Sequence, residues 1–204
     1  MSDVRHLKSY LTNSLPFVNL RHIDIEESSR NTKVFNYYCI ANFEKLDMKI
    51  LMVCLGNICR SPMAEGIMRK KLESHGLDHQ VDSCGTANYH VGEHPDPRAI
   101  AKAKKYGIDI SSLIGRQLKA DDFDKFDLIY AMDASNYTNI MRVVRSLNDK
   151  KKVKLILEEL DSKQKKDVPD PYYGGDEGFE KMYELLDKAC EEICTKLKYN
   201  LLIR

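Results

Sequence analysis

The apolar run Lys49–Cys54 (KILMVC) ends in a cysteine and passes directly into Leu55-Gly56-Asn57-Ile58-Cys59-Arg60, then Ser61-Pro62. A short strand that is apolar at consecutive positions is buried on both faces, and only a sheet covered by helices provides that burial. Ser61 supplies a helix N-cap and Pro62 fits the first helical position. Ala64, Ile67, Met68 and Leu72 then share one helical face. The chain therefore turns from a buried strand into a helix around one short loop.

The same alternation continues downstream. Val81–Cys84, Leu128–Met132 and Lys154–Leu157 read as strands. Asp96-Pro97 opens a helix that Gly107 closes, and another starts near Ser135. A last helix carries Phe179, Met182, Tyr183, Leu186, Cys190, Ile193, Cys194 and Leu197 on one face. Strands separated by helices define an α/β fold, a parallel sheet with helices on both faces. Cys190 and Cys194 are expected to pack against that sheet. Lys104-Lys105, Lys165-Lys166 and Lys150–Lys152 read as solvated faces.

Residues 1–47 break the pattern, with balanced charges and no strong period. They read as an N-terminal extension, an ordered appendage without an assigned fold. Met48 looks like a second possible start, so 48–204 is expected to be the functional domain.

Composition restricts what the domain can do. Lys and Arg number 32 against 31 Asp and Glu, so no global field draws the chain to nucleic acid or anionic lipid. No stretch reaches the roughly 18 apolar residues of a spanning helix, and no secretory leader is visible. Six cysteines with no Cys-x-x-Cys pair and no zinc spacing suit a cytoplasmic protein with reduced thiols and no metal.

The chemistry lies in the loop after the first strand. Cys54-x5-Arg60-Ser61 between a strand and a helix aims successive N–H groups into a concavity beside the positive end of a helix dipole. Gly56 and Asn57 are residue types that tolerate the dihedrals such a nest needs. A thiol at its rim is expected to ionise readily and act as nucleophile. Arg60 can clamp two phosphate oxygens, and Ser61 can donate to the Cys54 sulfur. Phosphoryl transfer then lacks only a proton donor. Asp170, held between Pro169 and Pro171 and followed by Tyr172 and Tyr173, is the candidate. Asp133 fits either the surround of this site or a helix N-cap.

With these segments in hand, residues 48–198 resemble the low-molecular-weight protein tyrosine phosphatases. The resemblance rests on VCLGNICRSPMAE (Val53–Glu65), VDSCGT (Val81–Thr86), VGEHPDPRA (Val91–Ala99), AMDASN (Ala131–Asn136) and DPYYGG (Asp170–Gly175). It implies a flavodoxin-like four-stranded parallel sheet and no cofactor. It also implies hydrolysis of phosphotyrosine-containing proteins or small aryl phosphates through a cysteinyl phosphate. By the same resemblance Cys54 is the nucleophile, Arg60 the phosphate ligand and Asp170 the general acid. Leu55, Gly56, Asn57, Ile58, Cys59 and Ser61 complete the phosphate loop. Asn57 props that loop with Ser83 holding it, and Tyr89 and Tyr172 form the pocket rim. Cys59, inside the same loop, is expected to close a protective disulfide with Cys54 after oxidation, as relatives do.

The chain departs from the pattern in two places. Ser111-Ser112-Leu113 stands where relatives carry a histidine, so any hydrogen bond made by that residue is absent or remade. Cys84 occupies a position that is usually small. Two rivals remain. A thioredoxin-coupled arsenate reductase needs two further cysteines after the third strand, and no cysteine lies between Cys84 and Cys190. A silent phosphotyrosine-binding module would lose Cys54, Arg60 or Asp170, and all three are present.

Overall fold

The computed structural model describes residues 47–160, 167–172, 174–199 and 201–202. The extension before Asp47, the pair Lys165-Lys166 and Tyr173 lie outside the described residues. Strand β1 (Lys49–Cys54) occupies the middle of a sheet with β2 (Gln80–Gly85), β3 (Leu128–Ala131) and β4 (Val153–Leu155), in the order β2-β1-β3-β4. Every pairing is parallel, with Cys54 opposite Gly85 and Val53 opposite Ala131. This is the flavodoxin-like arrangement that the resemblance implied.

Burial on both faces explains the composition of β1. Ile50, Met52 and Cys54 face one core, which helices α1 (Arg60–Ser74), α2 (Pro97–Lys105) and α6 (Gly175–Lys198) cover. Leu51 and Val53 face a second core, formed with Cys84, Phe123, Ile129 and Ile140. The short helices α3 (Asp122–Lys125), α4 (Ala134–Met141) and α5 (Leu147–Lys151) belong to that side. Alternation along one strand thus feeds two layers.

All eight residues assigned to the apolar face of α6 are buried. Cys190 and Cys194 pack on α1 as well as within the core, their sulfurs 3.9 Å from Ala64 O and 3.8 Å from Met68 Sδ. Gly66 of α1 lets the Ile108–Ile110 segment approach, since a Cβ there would stand 2.5 Å from the Ile110 methyl. Helix α2 starts as anticipated, with the Asp96 carboxylate accepting from Arg98 N at 2.8 Å and Pro97 at its first position.

Four local expectations need correction. Ser61 does not cap α1. The helix begins at Arg60 with Cys59 at the cap position and no side-chain cap bond, because the Ser61 hydroxyl is engaged in the phosphate loop. The last strand stops at Leu155, and Ile156–Glu159 forms a 3-10 turn. Ile156 and Leu157 are apolar because this turn tucks them under α6, not because they pair in the sheet. The segment after Asp133 carries two helices, since Ser146 caps a separate α5. Lys152 is not simply solvated, for its ammonium donates to Phe123 O and Phe126 O at 2.7 and 3.0 Å.

Candidate active site

The C-terminal ends of β1 and β3 meet at the point where strand order reverses, the place where open α/β sheets bind ligands. The segment Cys54–Ser61 wraps around this point. Four of its carbonyls accept main-chain hydrogen bonds: Thr86 N donates to Cys54 O and Ala87 N to Leu55 O, each at 2.9 Å. Asp96 N donates to Ile58 O at 2.8 Å and Met63 N to Cys59 O at 3.3 Å. The N–H groups of Leu55, Gly56, Ile58, Cys59 and Arg60 have no acceptor among the described residues. Occupied carbonyls and amides left without acceptors, at the start of α1, are the pattern of an anion nest.

Asn57 holds this shape. Its φ is 58°, the single positive value of a non-glycine among the described residues. The Asn57 amide donates to Ser61 Oγ and Ser83 Oγ, each at 2.9 Å, and its carbonyl oxygen accepts from Arg116 N at 2.9 Å. Gly56, in contrast, is not left-handed, and its lack of a Cβ serves the His90 ring, which would come within 3.0 Å of one. Gly85 is needed for a similar reason, since a Cβ there would meet Leu55 O at 2.7 Å.

Cys54 is buried on the floor of the loop, with Asn57 N donating to its sulfur at 3.2 Å and Ser61 Oγ 3.0 Å away. Arg60 is likewise buried. Its fork binds Asp133 Oδ2, Val168 O at 3.3 Å and Asp170 Oδ2 at 2.8 Å. Burial opposes its charge, but the negative charge at Cys54, Asp170 and Asp133 outweighs that and holds the guanidinium above its ordinary pKa. Asp133 fills both roles that its position allowed, for it also accepts from Asn136 N at 2.6 Å as the cap of α4.

Asp170 is 47% exposed at the mouth, and its other oxygen accepts from Tyr172 N at 3.1 Å. Tyr172 is held by Arg98, while Tyr89 projects into solvent from the loop after β2. Leu55 is exposed at the mouth and Ile58 packs partly into the core. Cys59 is buried, and burial, followed by Asp96, Cys54 and Asp170, pushes its thiol pKa up. Cys84 contributes packing to the second core, with burial raising its thiol as well. Leu113, in the segment Ser111–Leu113 where the resemblance expects a histidine, packs partly buried against the core.

Some contributors had no sequence signal. Arg116 acts on Asn57 through a main-chain N–H, while its guanidinium is fixed by Asp82 at 2.8 Å and Asp122 at 3.1 Å. Asp167 anchors the approach to Asp170 by accepting from Ala134 N at 2.9 Å. Among the described residues no group of three His, Cys, Asp or Glu could hold a metal ion, and no helix is long and apolar enough to cross a membrane.

A buried cysteine, amides without acceptors and an arginine fork in one loop are the arrangement expected of a phosphoric monoester hydrolase. Comparison with known proteins makes this specific. The family model for low molecular weight phosphotyrosine protein phosphatase matches residues 49–202. The phosphatase of that name from Schizosaccharomyces pombe is 47% identical over 145 residues, 69% of this chain and 92% of its own length. The human one is 36% identical over 155 residues, 75% of this chain and 98% of its own. The crystal structure of a protein tyrosine phosphatase from Entamoeba histolytica superposes with a TM-score of 0.71 at 39% identity, covering 75% of this chain and 98% of that one. An arginine phosphatase from Drosophila superposes at 0.69 with 34% identity, over 74% and 98%. The chain belongs to the low molecular weight protein tyrosine phosphatase family.

Proposed function

We propose that the phosphatase reaction of this chain runs through Cys54, Arg60 and Asp170 by way of a cysteinyl phosphate. The observation that carries the reading is that one short loop holds the Cys54 sulfur, amides with no acceptor among the described residues and the Arg60 fork, which binds Asp170. The equatorial phosphate oxygens would take the amides and Arg60, displacing Asp170 from the guanidinium. The Cys54 thiolate attacks phosphorus, the bond to the leaving oxygen breaks, and Asp170 gives that oxygen a proton. Asp170 then takes a proton from water, the water oxygen attacks phosphorus, and the P–S bond breaks to release phosphate. Asn57 N–H and the Ser61 hydroxyl are placed to stabilise the sulfur as an anion in both steps.

Cys54 is buried while Tyr172, tied to the site through Asp170, is partly exposed, which would suit a flat aryl group long enough to reach the buried sulfur. Phosphotyrosine proteins and small aryl phosphates fit that shape. Tyr89 is the second wall in this reading. The free state of the five described cysteines supports a cytoplasmic setting.

The test is a substrate panel with two variants. Phosphotyrosine peptides and p-nitrophenyl phosphate are expected to be turned over and blocked by vanadate, with phosphoserine and phosphoarginine peptides spared. Cys54→Ser is expected to abolish turnover and keep vanadate binding. Asp170→Ala is expected to slow phenyl phosphate by about 10²–10⁴-fold. Near-normal rates in either variant would remove the assignment, and preference for phosphoarginine would reassign the substrate.

A further inference from the structure

Arg98 lies outside the phosphate loop, on the first turn of α2, and its side chain is 46% exposed. Its contacts nevertheless join the two halves of the site. Nε and Nη2 donate to the two oxygens of Asp96 at 3.0 and 2.7 Å. The remaining nitrogen, Nη1, donates to Tyr172 O at 3.0 Å. The guanidinium also lies 5.1 Å from the centres of both the Tyr172 and Phe179 rings. Asp96 in turn donates its N–H to Ile58 O of the phosphate loop, and Tyr172 donates its N–H to Asp170. A continuous bracket therefore runs from Ile58 through Asp96 and Arg98 to Tyr172 and Asp170.

On its other side the acid-bearing segment is held by Val168 and by Arg60. Val168 N donates to Met132 O, and Arg60 binds Val168 O and Asp170. The Arg60–Asp170 contact must open when phosphate oxygens claim the fork. Arg98 faces no such competition, since its partners are Asp96 and a main-chain carbonyl. We infer that Arg98 is a positioning residue for catalysis. It fixes the Tyr172 main chain to the phosphate loop, so that Asp170 stays aimed at the leaving oxygen after substrate has displaced it from Arg60. The inference rests on Asp170 being the proton donor.

The chemistry asks for arginine here. A planar fork can grip both Asp96 oxygens, present a third nitrogen to Tyr172 and stack on two rings at once, and an ammonium cannot. Because Arg98 is half-exposed, the direct worth of its pair with Asp96 to stability is small, and its consequence is geometric.

The full chain and its variants Arg98→Lys, Asp170→Ala and the double variant separate the possibilities. Phenyl phosphate needs a proton at its leaving oxygen, and 2,4-dinitrophenyl phosphate does not. Arg98→Lys is expected to lower kcat/KM for phenyl phosphate, which reports only the steps up to phenol release, by about tenfold or more, the scale of a small misplacement of a catalytic group. The kcat/KM for 2,4-dinitrophenyl phosphate and the melting temperature are expected to stay near wild type. In the Asp170→Ala background, Arg98→Lys is expected to add no further loss, because the group it positions is gone. Equal losses on both substrates, no loss on either, or full additivity in the double variant would overturn the role of Arg98. If Asp170→Ala is itself indifferent to the leaving group, the assignment of Asp170 falls and takes this inference with it.

Discussion

Ser61 Oγ stands 3.0 Å from Cys54 Sγ while it accepts a hydrogen bond from Asn57 Nδ2 at 2.9 Å. A hydroxyl has one proton to donate. With Asn57 donating to its oxygen, that proton goes either to the Cys54 sulfur or to Cys84 O, 3.3 Å away. When sulfur leaves phosphorus as an anion, the first choice is favoured.

A hydrogen bond to a charged group is worth about 1.5–3 kcal/mol, which corresponds to roughly 10- to 100-fold in the rate of phosphoenzyme breakdown. Ser61→Ala is therefore expected to release one equivalent of p-nitrophenol in a burst and then turn over slowly. Stopped-flow absorbance reads both phases. Unchanged steady-state turnover with no burst would show that the hydroxyl does not assist the departing sulfur.

The Ser61 case also shows where sequence reasoning stopped. The cap rule gave Ser61 to the helix because Ser-Pro at a strand-helix junction carries that signal, and nothing local reveals that Asn57 claims the hydroxyl. Contiguous features were legible: the two-faced burial of β1, the apolar stripe of α6 and the strand-loop-helix setting of Cys54 all follow from short-range periodicity. The bracing of the loop was not. Asn57 is held by a main-chain N–H of Arg116, which has no side-chain signature, and the Asp96–Arg98–Tyr172 bracket joins segments 74 residues apart. Ile156 and Leu157 read as strand because apolar residues buried by a helix look the same as residues buried in a sheet.

A chain shortened to begin at Met48 is expected to fold and to hydrolyse p-nitrophenyl phosphate with kcat within about twofold of the full chain. Asp47–Arg204 forms one compact unit, and the family match begins at residue 49. Met48 itself is buried, and its N–H donates to His79 Nδ1 at 3.1 Å, so a cut should fall before it. Insolubility, or loss of most of the activity, would make the preceding residues an integral part of the domain.

Cys59 bears on oxidation. Peroxide is expected to convert Cys54 to a sulfenic acid. Cys59 is then expected to attack that sulfur, its proton leaving with the hydroxyl group as water, to form an S–S bond. Burial, reinforced by Asp96, Cys54 and Asp170, raises the Cys59 thiol pKa and so slows this step, because the thiolate is the attacking form. Brief peroxide followed by dithiothreitol is expected to restore most wild-type activity and far less in Cys59→Ser. Equal recovery in both would exclude Cys59 from protection.

The acid limb of stability is expected to depend on Glu159. This carboxylate is only 5% exposed and sits where the 3-10 turn meets β3, β4 and α6. Tyr130 Oη donates to it at 3.0 Å, Lys154 at 3.2 Å and Lys196 at 2.9 Å, and Lys196 also binds Glu159 O at 2.7 Å. Burial alone would raise its pKa, but the Lys196 hydrogen bond, the two lysine charges and the Tyr130 hydroxyl outweigh it, and the folded-state value lies below 4.5. A depressed folded-state pKa means that the unfolded chain takes up this proton first as pH falls. The stabilisation is thus complete above about pH 5 and is lost as pH drops through the folded-state value. Glu159→Gln preserves the shape but leaves Lys154 and Lys196 without their counter-charge. Both lysines keep some access to solvent, so the cost at pH 7 is expected to be about 2 kcal/mol, below that of breaking a fully buried pair. Urea unfolding at pH 7, 5, 4 and 3 is the measurement. The gap between wild type and variant is expected to be constant from pH 7 to 5 and to close toward pH 3. A gap that persists unchanged at pH 3 would mean that packing and hydrogen bonding, not the carboxylate charge, account for the role of Glu159.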